Sequence, residues 1–181
     1  MNSISDYRKQ FREKLEGLSR EWQSKGLPSR SRLEKTAGGL YEWRIKTASS
    51  GLWGIPPIMI TATLDDGLGH GLEVIRMFSE AAGLEIIDLG LLVTPEKIIT
   101  ACKKNKPDLL GLTVLQFDSE ENILMISRNL PERTKIIAGG PVFGADPGFA
   151  RRTGIHFAVK NVAYFIRFLL QFEATYIEKT P

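Results

Sequence analysis

Two carboxylates, an imidazole and three glycines fall within the nine residues Thr63-Leu64-Asp65-Asp66-Gly67-Leu68-Gly69-His70-Gly71. Carboxylates and imidazoles do acid/base work and ligate metals, while glycines let the backbone take φ > 0 and come close to a ligand. Asp65 and Asp66 are adjacent, so their side chains diverge and do not form a carboxylate pair. His70 is the one imidazole near the loop. It is either a metal ligand or a group at the start of the helix that follows. The backbone N–H groups of residues 69–72 point outward there as anion donors. Two further stretches have small residues where a ligand could pass, Thr113-Val114-Leu115 and Gly139-Gly140-Pro141.

Other reactive groups are sparse. His156 alternates with Ile155 and Phe157, the pattern of a hydrogen-bonded strand residue. Cys102 is the only cysteine, which excludes an intrachain disulfide and a cysteine metal cluster, and with Ile98 and Ile99 it reads as a small buried hydrophobe. Trp22, Tyr41, Trp43 and Trp53 are read as a lid over a planar ring or as helix packing. No G-x-x-x-x-G-K-[ST] loop and no receiver-type Asp/Lys pairing are present, which ranks P-loop and phosphorelay roles low.

The loops need a scaffold. A chain of 181 residues, 43% hydrophobic and 25% charged, can bury a sizeable core. No apolar run approaches the roughly 20 residues of a membrane helix, and Met1-Asn2-Ser3-Ile4 lacks a secretory pattern, so a cytoplasmic location is expected. The net charge of +3 is small. Basic residues near the N-terminus are interleaved with Glu13, Glu16, Glu21, Glu34 and Glu42 at helical spacing, which argues for a solvated face rather than a nucleic-acid patch.

Ile4, Tyr7, Phe11, Leu15, Leu18 and Trp22 draw one helical stripe, with Ser3 or Ser5 as its cap and Gly26-Leu27-Pro28 as its end. Ser29 or Ser31 opens a second helix carrying Leu33, Ala37, Leu40, Tyr41, Ile45 and Ala48, weakened by Gly38-Gly39. Two helices do not make a bundle. Their stripes pack on the domain that follows or pair across a homodimer, and the homodimer is the favoured expectation. Ser49 to Pro57 is the boundary between a helical segment, residues 1–55, and an α/β domain, residues 56–175.

In that domain strands are expected at 58–64, 84–89, 109–115, 135–138 and 155–159. Helices are expected at 71–82, from Pro95 to 105, at 120–129 capped by Ser119, at 147–153 and at 162–172. Strands apolar throughout belong to a parallel sheet covered on both faces. The expectation is a flavodoxin-like (Rossmann-type) doubly wound α/β fold with strand order 2-1-3-4-5. The loops after the first and third strands then meet at the switch point, with Gly139 to Gly144 beside them.

From about Pro57 to Phe172 the chain resembles the cobalamin-binding domain of corrinoid methyl-transfer proteins, methionine synthase and adenosylcobalamin mutases. That family carries D-x-H-x-x-G, S-x-L and G-G after the first, third and fourth strands. The stretches 81–90 (A-A-G-L-E-I-I-D-L-G), Thr94-Pro95-Glu96-Lys97 and 106–115 (K-P-D-L-L-G-L-T-V-L) are especially similar to corrinoid proteins of methyltransferase systems. By position Asp66 and Gly71 match the aspartate and closing glycine, Thr113 and Leu115 match S-x-L, and Gly139-Gly140 match G-G. Leu68 stands where the family has its cobalt-ligating histidine.

The resemblance implies that Asp66, Gly67, Leu68, Gly69, His70, Gly71, Thr113, Leu115, Gly139 and Gly140 surround a cobalamin. Its nucleotide tail would lie in a slot lined by the small residues. Leu68 offers no lone pair, so the histidine that displaces the lower base from cobalt in the family has no counterpart there, and His70 is the substitute candidate. Asp66, with no histidine to orient, is left to cap the helix or pair with a cation. The implied function is a corrinoid carrier that shuttles methyl groups between partner methyltransferase proteins and is not a complete enzyme alone. The alternatives are a cobalamin sensor or scaffold, and a flavodoxin-like interaction module that no longer binds cofactor.

Overall fold

Five strands, β1 (Ile58–Thr63), β2 (Glu85–Asp88), β3 (Leu109–Thr113), β4 (Lys135–Gly139) and β5 (Phe157–Val159), form one parallel sheet in the order β2-β1-β3-β4-β5. The computed structural model describes residues 4–66 and 70–173, without the side chains of Ile4, Ser5 and His70. Met59, Ile60, Leu109, Leu110, Ile136 and Ile137 are all buried, so the central strands need cover on both faces. The helices supply it. Together they make the doubly wound, flavodoxin-like α/β fold expected above.

On one face lie α4 (Pro95–Asn105), α5 (Glu120–Asn129), α6 (Val142–Ala145) and α7 (Phe149–Thr153), whose Ile98, Ile123, Val142 and Phe149 pack with Ile60, Leu110 and Ile136. Thr94 caps α4 by accepting from Lys97 N–H at 3.4 Å, and Pro95 fills its first turn. On the other face lie α3 (His70–Ala82) and α8 (Val162–Gln171), whose Val74, Phe78, Phe165 and Leu169 pack with Met59, Leu109 and Ile137.

Outside α3 and α8 sit α1 (Ile4–Lys25) and α2 (Arg30–Lys46), the first against α8 and the second against α3. Phe11, Leu15 and Trp22 of α1 and Leu33, Ala37 and Leu40 of α2 join the same core as Phe78 and Phe165. Trp22 meets Phe78 edge-on at 5.7 Å, and buried Ser19 donates its hydroxyl to the Ala163 carbonyl at 2.9 Å. These buried residues of both stripes are therefore covered within one chain, so their cover does not need the homodimer that was the favoured expectation.

Several local expectations are corrected. Tyr41 (42% exposed) and Ile45 (57%) lie off the buried stripe, because one and five residues beyond Leu40 turn the helix about 100° and about 140° away. Gly38 and Gly39 stay helical, held by the burial of Ala37 and Leu40 on either side. Ser119 makes no capping bond to α5 and ends a 3₁₀ turn, Phe117–Ser119, with its hydroxyl turned to Asp65. Val142–Ala145 is a helical turn where a loop was expected, and β5 starts at Phe157, beyond Ile155 and His156.

The shared core gives a direct test. Replacing Phe11, 0% exposed, by Ala is expected to cost about 3–5 kcal/mol. The loss is expected in one transition that also melts the sheet. Calorimetry showing a separate transition for α1 and α2 would contradict the common core.

Candidate functional site

The parallel register places Thr63, Thr113, Gly139 and Val159 in one row across the carboxyl end of β1, β3, β4 and β5. Side chains alternate faces, so this row looks the same way as Met59, Gly111 and Ile137, towards α3 and α8. Gly139 has no side chain and Thr113 a short one, so the helices cannot close on the sheet. A cavity of about 630 Å³ remains between them.

The cavity collects most of the described residues picked out from the sequence. Gly71, Thr113, Leu115, Gly139 and Gly140 all line it. Gly140 has φ +142° and packs against the Val114 carbonyl so closely that a Cβ would run into that oxygen. At Gly139 a Cβ would stand 3.5 Å from the Val159 carbonyl, an ordinary contact, with larger side chains directed into the cavity.

Other expectations are not met. Asp66 is exposed and does not line the cavity. Gly67, Leu68 and Gly69 lie outside the described residues, and His70 is placed only by its backbone, as the first residue of α3. The tryptophans make no lid. Trp22 packs on Phe78, Trp43 stacks on Phe11, and Trp53 meets Phe172 and donates its ring N–H to the Phe172 carbonyl. Tyr41 lies beneath the Arg44 guanidinium on the surface. Trp22 and Trp43 fill helix contacts because their stripes face a neighbouring helix, not the loop edge.

Asp65, the neighbour of the aspartate that the resemblance singles out, is the one that organises the loops. Its Oδ2 accepts the Leu115 N–H at 3.1 Å, its Oδ1 the Ser119 hydroxyl at 3.5 Å, and its backbone carbonyl the Leu92 N–H at 3.3 Å. Loops after β1, β2 and β3 are thereby tied at one residue. With both carboxylate oxygens engaged, Asp65 is a structural acceptor. Thr63, buried at the same edge, has a hydroxyl without a partner among the described residues.

His156 is confirmed as a hydrogen-bonded residue. Its Nδ1 accepts the Ile136 N–H at 3.0 Å, and its own backbone N–H donates to the Ile136 carbonyl at 3.1 Å. Burial and then the Lys135 charge hold its pKa below the usual imidazole value, which favours the neutral ring whose Nδ1 lone pair accepts that hydrogen bond. Burial pushes the Cys102 thiol up to about 12, so it is an inert hydrophobe. Among the described residues no group of three or more His, Cys, Asp or Glu could hold a metal ion. No helix among them is long and apolar enough to cross a membrane.

The sequence reading missed Met59, Gly111, Ile137 and Phe165 in the cavity, and Leu27, Arg30 and Leu33, which α2 and the residues before it bring to its outer wall. Gly111 carried a signal. A glycine inside the run Leu109-Leu110-Gly111-Leu112 marks a close approach, here of the Met59 side chain, which crosses the space a Cβ would need.

Comparison with known proteins fits this geometry. The family model described as "B12 binding domain" matches residues 57–163. No curated protein sequence matches the chain. Among solved structures it is similar to a novel cobalamin-binding protein from Desulfitobacterium hafniense DCB-2, with TM-score 0.76 and 20% identity over 93% of this chain and 82% of that one. It is similar to the methanol:cobalamin methyltransferase complex MtaBC from Methanosarcina barkeri, with TM-score 0.65 and 15% identity over 94% of this chain and 69% of that one. A third similar structure is the Methanosarcina barkeri monomethylamine corrinoid protein, with TM-score 0.55 and 17% identity over 87% of this chain and 77% of that one.

The Asp65 tie predicts that Asp65→Ala, which strands the Leu115 N–H, costs about 1–3 kcal/mol. Amide hydrogen exchange is expected to speed up at Leu115 and Leu92 while the strand amides of β4 stay protected. Unchanged exchange in both loops would remove Asp65 from this role.

Proposed function

The chain belongs to the B12 binding domain family, and from that premise we propose that it is the corrinoid-carrying member of a methyl-transfer system. In this reading the cofactor's nucleotide tail enters the cavity between the sheet and α3 and α8, and no histidine of the first loop's motif position ligates cobalt. When bound, a corrinoid supplies a cobalt centre able to accept and give up a methyl group. The chain's own part is to hold and orient it.

The observation that carries the proposal is the floor of the cavity. Thr113 and Gly139 leave a gap between sheet and helices in an otherwise close-packed layer, with Met59 lying across Gly111 at its inner end, and Gly140 lets the chain pass the Val114 carbonyl without a side chain. A flat aromatic base suits such a gap between a β-sheet and two helices. Val74, Ile75, Val162 and Phe165 form apolar walls, and Thr113 and Asn161 offer hydrogen-bonding groups near the open edge. Among the described residues the lining is small, apolar, neutral polar or cationic, which supports a carrier that hands the methyl group between partner methyltransferases. The likeness in fold to the methanol:cobalamin methyltransferase complex supports that assignment of partner.

Two measurements test this. Wild-type protein incubated with hydroxocobalamin and desalted is expected to keep the corrinoid absorbance. Gly139→Val, whose Cβ is tolerated but whose branches enter the cavity, is expected to retain less than about a tenth of it with an unchanged cooperative melt. Retention by Gly139→Val equal to wild type would place the tail elsewhere. Retention by neither would favour an interaction module without cofactor.

The second measurement concerns cobalt. Leu68 cannot donate a lone pair, so the cobalt(II) electron paramagnetic resonance spectrum of the loaded protein is expected to be insensitive to ¹⁵N-labelling of histidine. A change in nitrogen splitting on labelling would assign a protein ligand, with His70 the candidate.

A further inference from the structure

The cavity has two chemically different ends. Met59, at the inner end, lies four residues before Thr63 on β1, about 13 Å along the strand. Around it are Val74, Ile137 and Phe165, which offer no hydrogen bonds. The outer end, at the carboxyl edge of the sheet, carries two cations. Lys160 directly follows β5, and Arg30 opens α2 and reaches Glu73 in the first turn of α3.

The two cations are available in different ways. Lys160 is exposed and makes no ion pair among the described residues, lying 5.9 Å from the Tyr164 ring. Arg30 is shared between Glu34 and Glu73, each at 2.6 Å. Both carboxylates are exposed side chains, so Arg30 can exchange one for a ligand anion at small cost. Leu27 and Leu33 flank it on the cavity wall. These three residues lie outside the span matched by the family model, so this wall is supplied by the chain's own helical segment.

We infer that the N-terminal helical segment is part of the ligand site: Leu27 and Leu33 wall the cavity, and Arg30 with Lys160 binds the phosphodiester of a corrinoid's nucleotide tail whose aromatic base fills the apolar inner end. The inference rests on the reading of the cavity as a tail site. A phosphodiester is anionic throughout the neutral range, and a guanidinium meets it with two parallel N–H donors. A ligand with an apolar planar end and an anionic linker matches the order of groups from Met59 outward. The helical segment then does more than cover α3 and α8: it contributes affinity for the tail.

The test compares hydroxocobalamin with dicyanocobinamide, which lacks the nucleotide, on the full chain. Arg30→Met and Lys160→Met are each expected to raise Kd for hydroxocobalamin about three- to tenfold, between the ranges for an exposed ion pair and a charge-assisted hydrogen bond. The effect is expected to shrink in high salt, and neither substitution is expected to change the affinity for dicyanocobinamide. Glu73→Gln removes the Arg30–Glu73 ion pair between α2 and α3 but leaves Arg30 its charge, so it is expected to bind hydroxocobalamin as well as wild type or more tightly. Equal weakening by Arg30→Met and Glu73→Gln would mean that Arg30 only docks α2, and wild-type affinity in both cation variants would remove the phosphodiester contact; either result overturns the inference while leaving the tail site intact. Wild-type protein that binds the two corrinoids equally well would overturn the tail site itself and this inference with it.

Discussion

Everything in this molecule follows from a gap that a parallel sheet would ordinarily close. Parallel strands joined by right-handed crossovers bring helices onto both faces, and close packing requires large side chains between sheet and helix. On the α4 and α5 face that requirement is met by Ile60, Leu110, Leu112 and Ile136. On the α3 and α8 face the row Thr113, Gly139 and the Gly111 position below it supply almost no side chain. The helices are held apart from the sheet at its carboxyl end, and the cavity is what remains.

Holding that gap open requires support from elsewhere. Below the cavity the same face is tightly filled by Leu109, Phe78 and Leu169, all at most 1% exposed. Outside it, α1 and α2 add a further layer, fastened by Phe11, Trp22 and Leu33 and by the bond from Ser19 to the Ala163 carbonyl. A sheet domain with a recessed carboxyl edge is thus buttressed on the side of the recess. At the amino edge the buried Asp108 carboxylate, paired with Arg133, accepts the Ile58 N–H at 3.0 Å and locks β1 beside β3. At the carboxyl edge Asp65 joins three loops, and Arg152, bonded to both Asp146 and Glu120, secures the segment after β4 and holds the Asp146 carboxyl below its usual range. The edge that carries the site is fixed by polar ties around an apolar recess, the arrangement expected of a site that binds an amphipathic ligand in one orientation.

Away from the recess, the His156 imidazole and the Cys102 thiol are placed for structure: His156 accepts a sheet amide and Cys102 is sealed beside Ile98. The described groups that face the cavity are small, apolar, neutral polar or cationic, suited to binding and orientation.

Much was legible in the sequence because it is encoded locally. The strands and most helices follow from hydrophobic runs, periodicity and caps such as Thr94-Pro95, and the strand order from the apolar, doubly covered character of those runs. Gly71, Thr113, Leu115, Gly139 and Gly140 were recognisable because each stands at or just beyond the end of a strand or at a helix start, where topology alone carries it to the switch point. What tertiary structure decided concerns surfaces that meet across long separations. The stripe of α2 did not reveal that its partner is α3, so neither the place of Arg30 and Leu33 at the cavity nor the covering of the helical stripes within one chain could be read from spacing. Adjacent Asp65 and Asp66 are equivalent as letters; only the position of Leu115 and Ser119, 50 and 54 residues further on, selects Asp65. Periodicity determines which face of an element is apolar, whereas the identity of the neighbour that covers it is settled by the packing of the whole.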